Sequence, residues 1–441
     1  MDLPGTHRPA MPAPWIEASR PARHGHGDAA AVAVLLLAVG YNFLLAVFNA
    51  QVMAIGPAWA YAVELAIYAA CFLLGMRALD HGKQALVVAG LGLVLLFNLL
   101  RFLQTWSLDP KLLRDAIIPF AFLALGARYR GRLHVLVMWL ALAVALVAAV
   151  EMAFPDLYGD LVDPRSYFVN TRGNSEGDFW NEGSKLYVSA TRPGERNWLG
   201  GFDLPRASSI FVEPVTMGNF IIFFCAVAIT WWRSLRPAGV AVALLLVVFL
   251  LIASDGRLAS ATCLAMLLLA PLLRRTDQTL AGLLFVAVLA CGWLAVWILG
   301  VNAYEDTLPG RVYLSVAAID AMQPAEWLGM DLAAPYRYPD SGIAYFIAGQ
   351  SLVLVLAFLL AYAFLLRMPT SNGQLFKNLF VFAFALSLLV SNAYFSIKTA
   401  GLWWFACGHL WMLRPRPQTH APPACAPAHA PATPGTETVP T

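Results

Sequence analysis

Three short stretches carry residue types whose chemistry is out of place beside apolar helices. The first is Arg206-Ala207-Ser208-Ser209-Ile210-Phe211-Val212-Glu213-Pro214, with Met217-Gly218-Asn219 just beyond. The second is Ser254-Asp255-Gly256-Arg257. The third opens with Gly310-Arg311, runs through Val312–Met322 to Gly329-Met330-Asp331, and ends in Asp340-Ser341-Gly342 with Tyr345 beyond. A guanidinium is a planar fork of donors that matches the oxygens of a phosphate or carboxylate, and a positioned carboxylate can take a proton from an attacking hydroxyl. Each arginine has a plainer reading as a headgroup anchor or a helix-end ion pair. Glu213 and Asp255 resist it, because a carboxylate within a turn of a hydrophobic helix is costly unless it is paired or functional. Glu64 sits deep in an apolar run with no evident partner, so a structural hydrogen bond is an equal reading for it.

The elements that must hold these groups are membrane spans. The chain has 441 residues, of which 60% are hydrophobic and 12% charged, far from the roughly 45–50% and 25% of a soluble domain. Apolar runs predict twelve transmembrane helices near 29–49, 56–77, 84–103, 112–127, 133–153, 209–232, 236–253, 257–273, 279–300, 342–366, 374–395 and 397–413. The fourth is the weakest, with Lys111, Arg114 and Asp115 at its start and Pro119 inside it. With the N-terminus inside, sixteen of the 29 basic residues and six acids fall in the inner segments, as the positive-inside rule requires. The expected organisation is an all-α polytopic membrane protein. It has a cytoplasmic tail over 1–28, one transmembrane domain over 29–413 with large outer loops at 154–208 and 301–341, and a Pro/Ala-rich disordered cytoplasmic tail over 414–441.

Inner loops are short, so chemistry is expected outside. The first outer loop interleaves charges, Arg192 and Arg196 among them, with Tyr158, Tyr167, Phe168, Tyr187, Trp198 and Phe202. Rings beside carboxylates suit a sugar, whose apolar face stacks while its hydroxyls hydrogen-bond; rings also anchor loops at a bilayer surface. All eight histidines fall in inner segments or the last span, which argues against an outer Ser-His-Asp site or a His-ligated metal. Five cysteines lie in spans and Cys425 in the tail, so no outer loop is stapled. A P-loop, a GxGxxG and an HExxH are all missing from the sequence. The net charge of +3 gives no sign of a nucleic-acid partner. If the chain is a transferase, its donor must arrive already activated and held in the membrane.

In this layout the chain resembles the bacterial O-antigen polymerase (Wzy) and O-antigen ligase superfamily, over residues of about 110 to 400. Arg206, Phe211, Glu213-Pro214 and Gly218 look like its arginine, Phe and Pro-containing helix start. Ser254-Asp255-Gly256-Arg257 looks like its Ser-Arg-type turn, and Gly310-Arg311 to Gly329 looks like its amphipathic segment. Ligases of the superfamily carry a histidine at the outer start of a late span, where this chain reads Pro339-Asp340-Ser341-Gly342. The Glu-Pro also looks more like the exopolysaccharide polymerases.

The resemblance implies a GT-C-like glycosyltransferase in the bacterial inner membrane with its active site facing the periplasm. It would transfer a growing glycan from undecaprenyl diphosphate to the non-reducing end of a fresh lipid-linked repeat unit. A flippase and a chain-length regulator are the implied partners, besides membrane lipids. Arg206, Arg257 and Arg311 would clamp the leaving diphosphate, on which negative charge gathers as the anomeric bond breaks. Glu213 is the first choice of base, with Asp255 and Asp340 as rivals. Arg192, Arg196, Trp198 and Tyr345 are expected to bind or position sugars. No metal or other cofactor is expected. A ligase using the same chemistry on another acceptor and a secondary transporter are the alternatives.

Overall fold

The computed structural model describes residues 26–413 except 180, 182, 192–197, 200, 203, 306 and 339. The two expected tails, apart from residues 26–28, lie outside the described residues, as do Arg192 and Arg196.

Helices are the regular structure of the described residues, and no strand occurs among them. Long helices come first: α1 His26–Gln51, α2 Pro57–Gly75, α3 His81–Thr105, α4 Pro110–Arg128 and α5 Leu133–Ala153. Two short helices, α6 Pro155–Val162 and α7 Pro164–Arg172, follow. Then come α8 Pro214–Trp231, α9 Pro237–Ser254, α10 Arg257–Arg275, α11 Ala281–Ile298 and α12 Leu308–Ala321, with single turns α13 Pro324–Trp327 and α14 Ala334–Arg337. The last four are α15 Gly342–Gln350, α16 Leu352–Leu360, α17 Ser371–Leu388 and α18 Ile397–Trp411. Eight of these, α1, α2, α3, α5, α8, α9, α10 and α11, are long and apolar enough to cross a membrane.

A helix occupies each of the twelve expected places, yet four places depart from a simple span. The tenth is broken: α15 and α16 meet at 102°, because Ser351 adopts a left-handed φ of 64° between them. Counted as one broken span, the pair would be a ninth candidate. At the break the Gly349 carbonyl takes a 2.8 Å bond from the buried Arg101 of α3, which also donates to Asn98 Oδ1 on its own helix at 2.6 Å; irregular backbone within a membrane bundle needs such partners. α4 carries Lys111, Arg114, Asp115 and Arg128, α17 opens on Ser371-Asn372-Gly373-Gln374 with Lys377 a turn later, and α18 is only 15 residues long. These three are buried among other helices and rely on protein rather than lipid for their surroundings. The start of the expected sixth span is also displaced. Pro214 sits in the first turn of α8, where its missing N–H costs nothing, and Glu213 is the extended residue before it (φ −148°), not a turn inside.

α4 is the hub. It packs along α18, α2 and α3, and two glycines make the first of these contacts possible. A Cβ on Gly126 would collide with the carbonyl of Phe405, and one on Gly408 with the carbonyl of Leu123. Small residues that let backbones touch are the usual adhesive between helices in lipid, where hydrophobicity gives no drive to associate. The segment after α5 folds back as a cap. Tyr158, Val162, Tyr167 and Phe168 of α6 and α7 pack with Leu186, Ala190 and Val212 against Ala46 and Ile55. Within this cap Tyr158 and Tyr167 are 3% and 2% exposed, and their hydroxyls donate to Ser209 O (2.7 Å) and Asn42 Oδ1 (2.9 Å).

Replacing Gly408 with Leu should separate α4 from α18 and lower stability by at least the ~1–3 kcal/mol of an overpacked core. Thermal unfolding of purified protein in detergent measures it, and Gly92→Leu, where a side chain meets nothing, should leave the midpoint unchanged.

Candidate functional site

A cavity of about 980 Å³ opens at one end of the bundle. It is bounded by the first turns of α2, α4, α8, α10, α12 and α18. The N-terminus of each helix is the positive end of its dipole and presents unpaired N–H groups, so the fold directs several such ends at one volume. Seven cationic side chains line it: Lys111, Arg114, Arg172, Arg206, Arg257, Arg311 and Lys398. Against them stand five carboxylates, Glu64, Asp115, Glu213, Asp255 and Asp340, an excess of two positive charges among the described lining residues before the dipoles are counted. Such a site favours an anion.

Seven of the residues singled out from sequence, Arg206, Glu213, Asp255, Arg257, Arg311, Asp340 and Tyr345, meet in this cavity although up to 139 positions separate them. Each is fixed by its local structure. Arg206 leaves a loop paired to its neighbours, with Arg206 N donating to Ala190 O and Ala207 N to Ala253 O, both at 2.9 Å; its Nε donates to Ser254 O at 3.1 Å. Asp255 closes α9 in a left-handed conformation (φ 48°), which aspartate tolerates better than most residues, and accepts a 3.3 Å bond from Trp198 N. Arg257 begins α10 and Arg311 the first turn of α12, the latter capped by Thr307 Oγ1 at 3.2 Å. Trp198 itself is half exposed and does not line the cavity.

Glu213 is the most heavily restrained group. Thr216 Oγ1 donates to its Oε2 at 2.7 Å and Tyr187 Oη to its Oε1 at 3.2 Å. Arg172 lies 3.7 Å from one oxygen and Lys398 3.6 Å from the other, while Lys398 also donates to Phe211 O at 3.1 Å. Burial pushes this carboxyl up, but Arg172 and Lys398, with the two hydrogen bonds, outweigh it and hold the pKa down to about 2. A base works best with a pKa near the operating pH. The geometry therefore suits Glu213 to holding Arg172 and Lys398 in place, and weakens the sequence-based preference for it as base. Asp340 makes no hydrogen bond or ion pair among the described residues that would occupy it in this way.

A second cluster forms the opposite wall, and the expectation that Glu64 lacks a partner is corrected here. Arg114 donates to Glu64 Oε2 at 3.1 Å and, through Nε and Nη2, to Asp115 Oδ1 at 2.9 and 2.7 Å; Tyr41 Oη also donates to Glu64. Tyr345, read from sequence as a sugar platform, is 3% exposed and gives its hydroxyl to Asp115 Oδ2 at 2.7 Å. Removing one member of such a buried set leaves an uncompensated charge, at a cost of about 3–5 kcal/mol. In the sequence Lys111, Arg114 and Asp115 stand out only as a flaw in the fourth span, Arg172 is one of many charges in the first outer loop, and Lys398 is not conspicuous. The rule applied to Glu213, that a charge entering an apolar helix needs a reason, would have flagged Lys398 as well.

The turn between Arg206 and Glu213 is held from beneath. Glu151, fully buried near the end of α5, accepts from Ser208 N (2.8 Å), Ser208 Oγ (2.8 Å) and Ser209 N (2.6 Å). Ser209 and Val212 within that turn have φ of 51° and 62°, a conformation especially costly for a β-branched residue. Glu151 supplies the bonds that keep the strained turn closed.

Compared with known proteins, the chain matches no family model, no curated protein and no solved structure.

Because the folded pKa of Glu213 lies below the ordinary carboxylate value of 4.5, its contribution is fully present above about pH 5 and is lost as pH falls toward 2. The unfolding temperature of the wild type should drop over that interval more than that of Glu213→Gln, which starts lower; equal slopes would count against the pairing. Glu151→Ala strands three buried donors at about 1–3 kcal/mol each, so a large loss of thermal stability is expected, with Glu151→Gln intermediate.

Proposed function

We propose that the chain is a bacterial inner-membrane glycosyltransferase that polymerises a surface polysaccharide, with the cavity as its active site facing the periplasm. On this reading all twelve helical places are spans, α15–α16 as a broken one, the N-terminus lies inside, and the architecture is GT-C-like. The donor is the growing glycan on undecaprenyl diphosphate, and the acceptor is the non-reducing end of another lipid-linked repeat unit. The observation that supports the reading best is the excess of cations and helix N-termini gathered in a roomy cavity at one end of a membrane bundle. That is the environment a lipid diphosphate needs when it departs.

In the reaction, the acceptor hydroxyl oxygen attacks the anomeric carbon and the bond from that carbon to the diphosphate oxygen breaks. The electron pair leaves with the lipid diphosphate, and the hydroxyl proton passes to a carboxylate. Arg257, Arg206 and Arg311 meet the growing charge with preorganised donors, the arrangement that most lowers such barriers. Glu213 stays ionised and fixes Arg172 and Lys398 beside them. Asp340, and then Asp255, are left as bases, and the cavity is large enough for sugars from both substrates.

The test is the length distribution of lipid-linked and surface glycan, by gel and mass spectrometry, in a deletion strain complemented with each variant. Wild type should restore long chains. Arg257→Ala should leave single repeat units, and Asp340→Asn should cut the rate by about 10²–10⁴, the worth of a general base. Full chain length with Arg257→Ala would defeat the clamp. Long polymer stranded on its carrier would indicate a ligase, and an unchanged ladder on deletion a transporter.

A further inference from the structure

A second, apolar cavity of about 190 Å³ adjoins the first. Gly90 and Leu93 of α3 form one wall, Ala357 and Phe358 of α16 the other, and Phe120 and Trp404 part of the floor. Its lining is almost wholly hydrocarbon, and Leu93 in that lining is 46% exposed. The two cavities are continuous in their walls: Asp115, Tyr345 and Phe395 line both. The break at Ser351 creates this space, since α16 turns away from the direction of α15 instead of running on beside α3 and α4.

Lys111 lines the larger cavity beside Tyr345, which belongs to both. Its ammonium lies 5.0 Å from the ring centres of both Tyr336 and Tyr345, and it makes no hydrogen bond or ion pair with the described residues. The neighbouring acids are otherwise engaged. Asp115 takes Arg114 and Tyr345, while Asp109 accepts from the N–H groups of Lys111 and Leu112 and from Tyr336 Oη. Lys111 therefore presents a cation, held between two rings, on the polar side of the wall that the oily groove shares with the larger cavity.

We propose that this groove seats the first isoprene units of a polyprenyl phosphate, with its phosphate on Lys111 and the head group it carries directed into the larger cavity. The inference rests on the transferase reading for the identity of the lipid, and adds where its chain lies. Only a ligand with a hydrocarbon tail joined directly to an anion satisfies both walls at once. Burying each methylene contributes enough that blocking a few of them is measurable.

The experiment uses full-length protein in nanodiscs of phosphatidylcholine, with a photoreactive polyprenyl phosphate as probe and inorganic pyrophosphate as a chainless one. On wild type, crosslinks should map to α3 and α16. Ala357→Trp, which fills the groove, should weaken polyprenyl phosphate binding about tenfold or more, the equivalent of roughly two buried methylenes, and leave pyrophosphate unaffected. Lys111→Gln should weaken both. Leu244→Trp, on the 62% exposed surface of α9, controls for an added indole. Crosslinks elsewhere on wild type, or Ala357→Trp binding as wild type does, would overturn the proposal even if the chain makes polymer. Groove labelling with an unchanged glycan ladder on deletion would instead uphold the lipid site and defeat the polymerase reading.

Discussion

The constraint on which the molecule turns is the cost of placing charge at the end of an apolar helical bundle. Seven cations and five carboxylates line one cavity at the end of an apolar bundle, and an isolated charge withdrawn from water there would cost several kcal/mol. The chain meets this cost by networks rather than by single pairs. Arg114 serves Glu64 and Asp115 together; Glu213 is shared by Arg172 and Lys398. Arg114, Asp115, Glu213 and Lys398 stand at helix starts, where the dipole and the exposed N–H groups add to the positive field, whereas Glu64 lies two turns into α2 and Arg172 closes α7. Among the described residues that line it, the cavity holds more cations than carboxylates, a balance that suits an anion.

The rest of the fold can be understood as support for that arrangement. α4 brings Lys111, Arg114 and Asp115 to the cavity, and its glycine contact with α18 sets where Lys398 stands. Glu151 holds the turn that fixes the spacing of Arg206 and Glu213. The cap of α6 and α7 carries Arg172 over the opening, its guanidinium resting 4.5 Å from the ring centre of Phe168. Strain is concentrated in the same places, at Ser209, Val212, Asp255 and Ser351, as is common where backbone is held for a purpose. The arginines expected to act as a clamp thus have their backbones fixed by helix starts and paired loops, which is what preorganised electrostatic catalysis needs.

The sequence alone determined that the chain is a helical membrane protein, since 60% hydrophobic residues in runs of about 20 admit little else. It also determined which polar residues stood out, because a charge against a hydrophobic helix is conspicuous in one dimension. What it could not supply was partnership. Glu64 and Arg114 are 50 positions apart and Glu213 and Lys398 are 185 apart, and only the crossing of α2 with α4 and of α8 with α18 brings them within reach. The tertiary structure therefore set Arg172, Lys398, Thr216 and Tyr187 around Glu213, packed Tyr158 and Phe168 into a cap, and broke the tenth helix at Ser351. Hydropathy is read along the chain, whereas the pKa of a carboxylate and the path of a helix are set by what lies across from it.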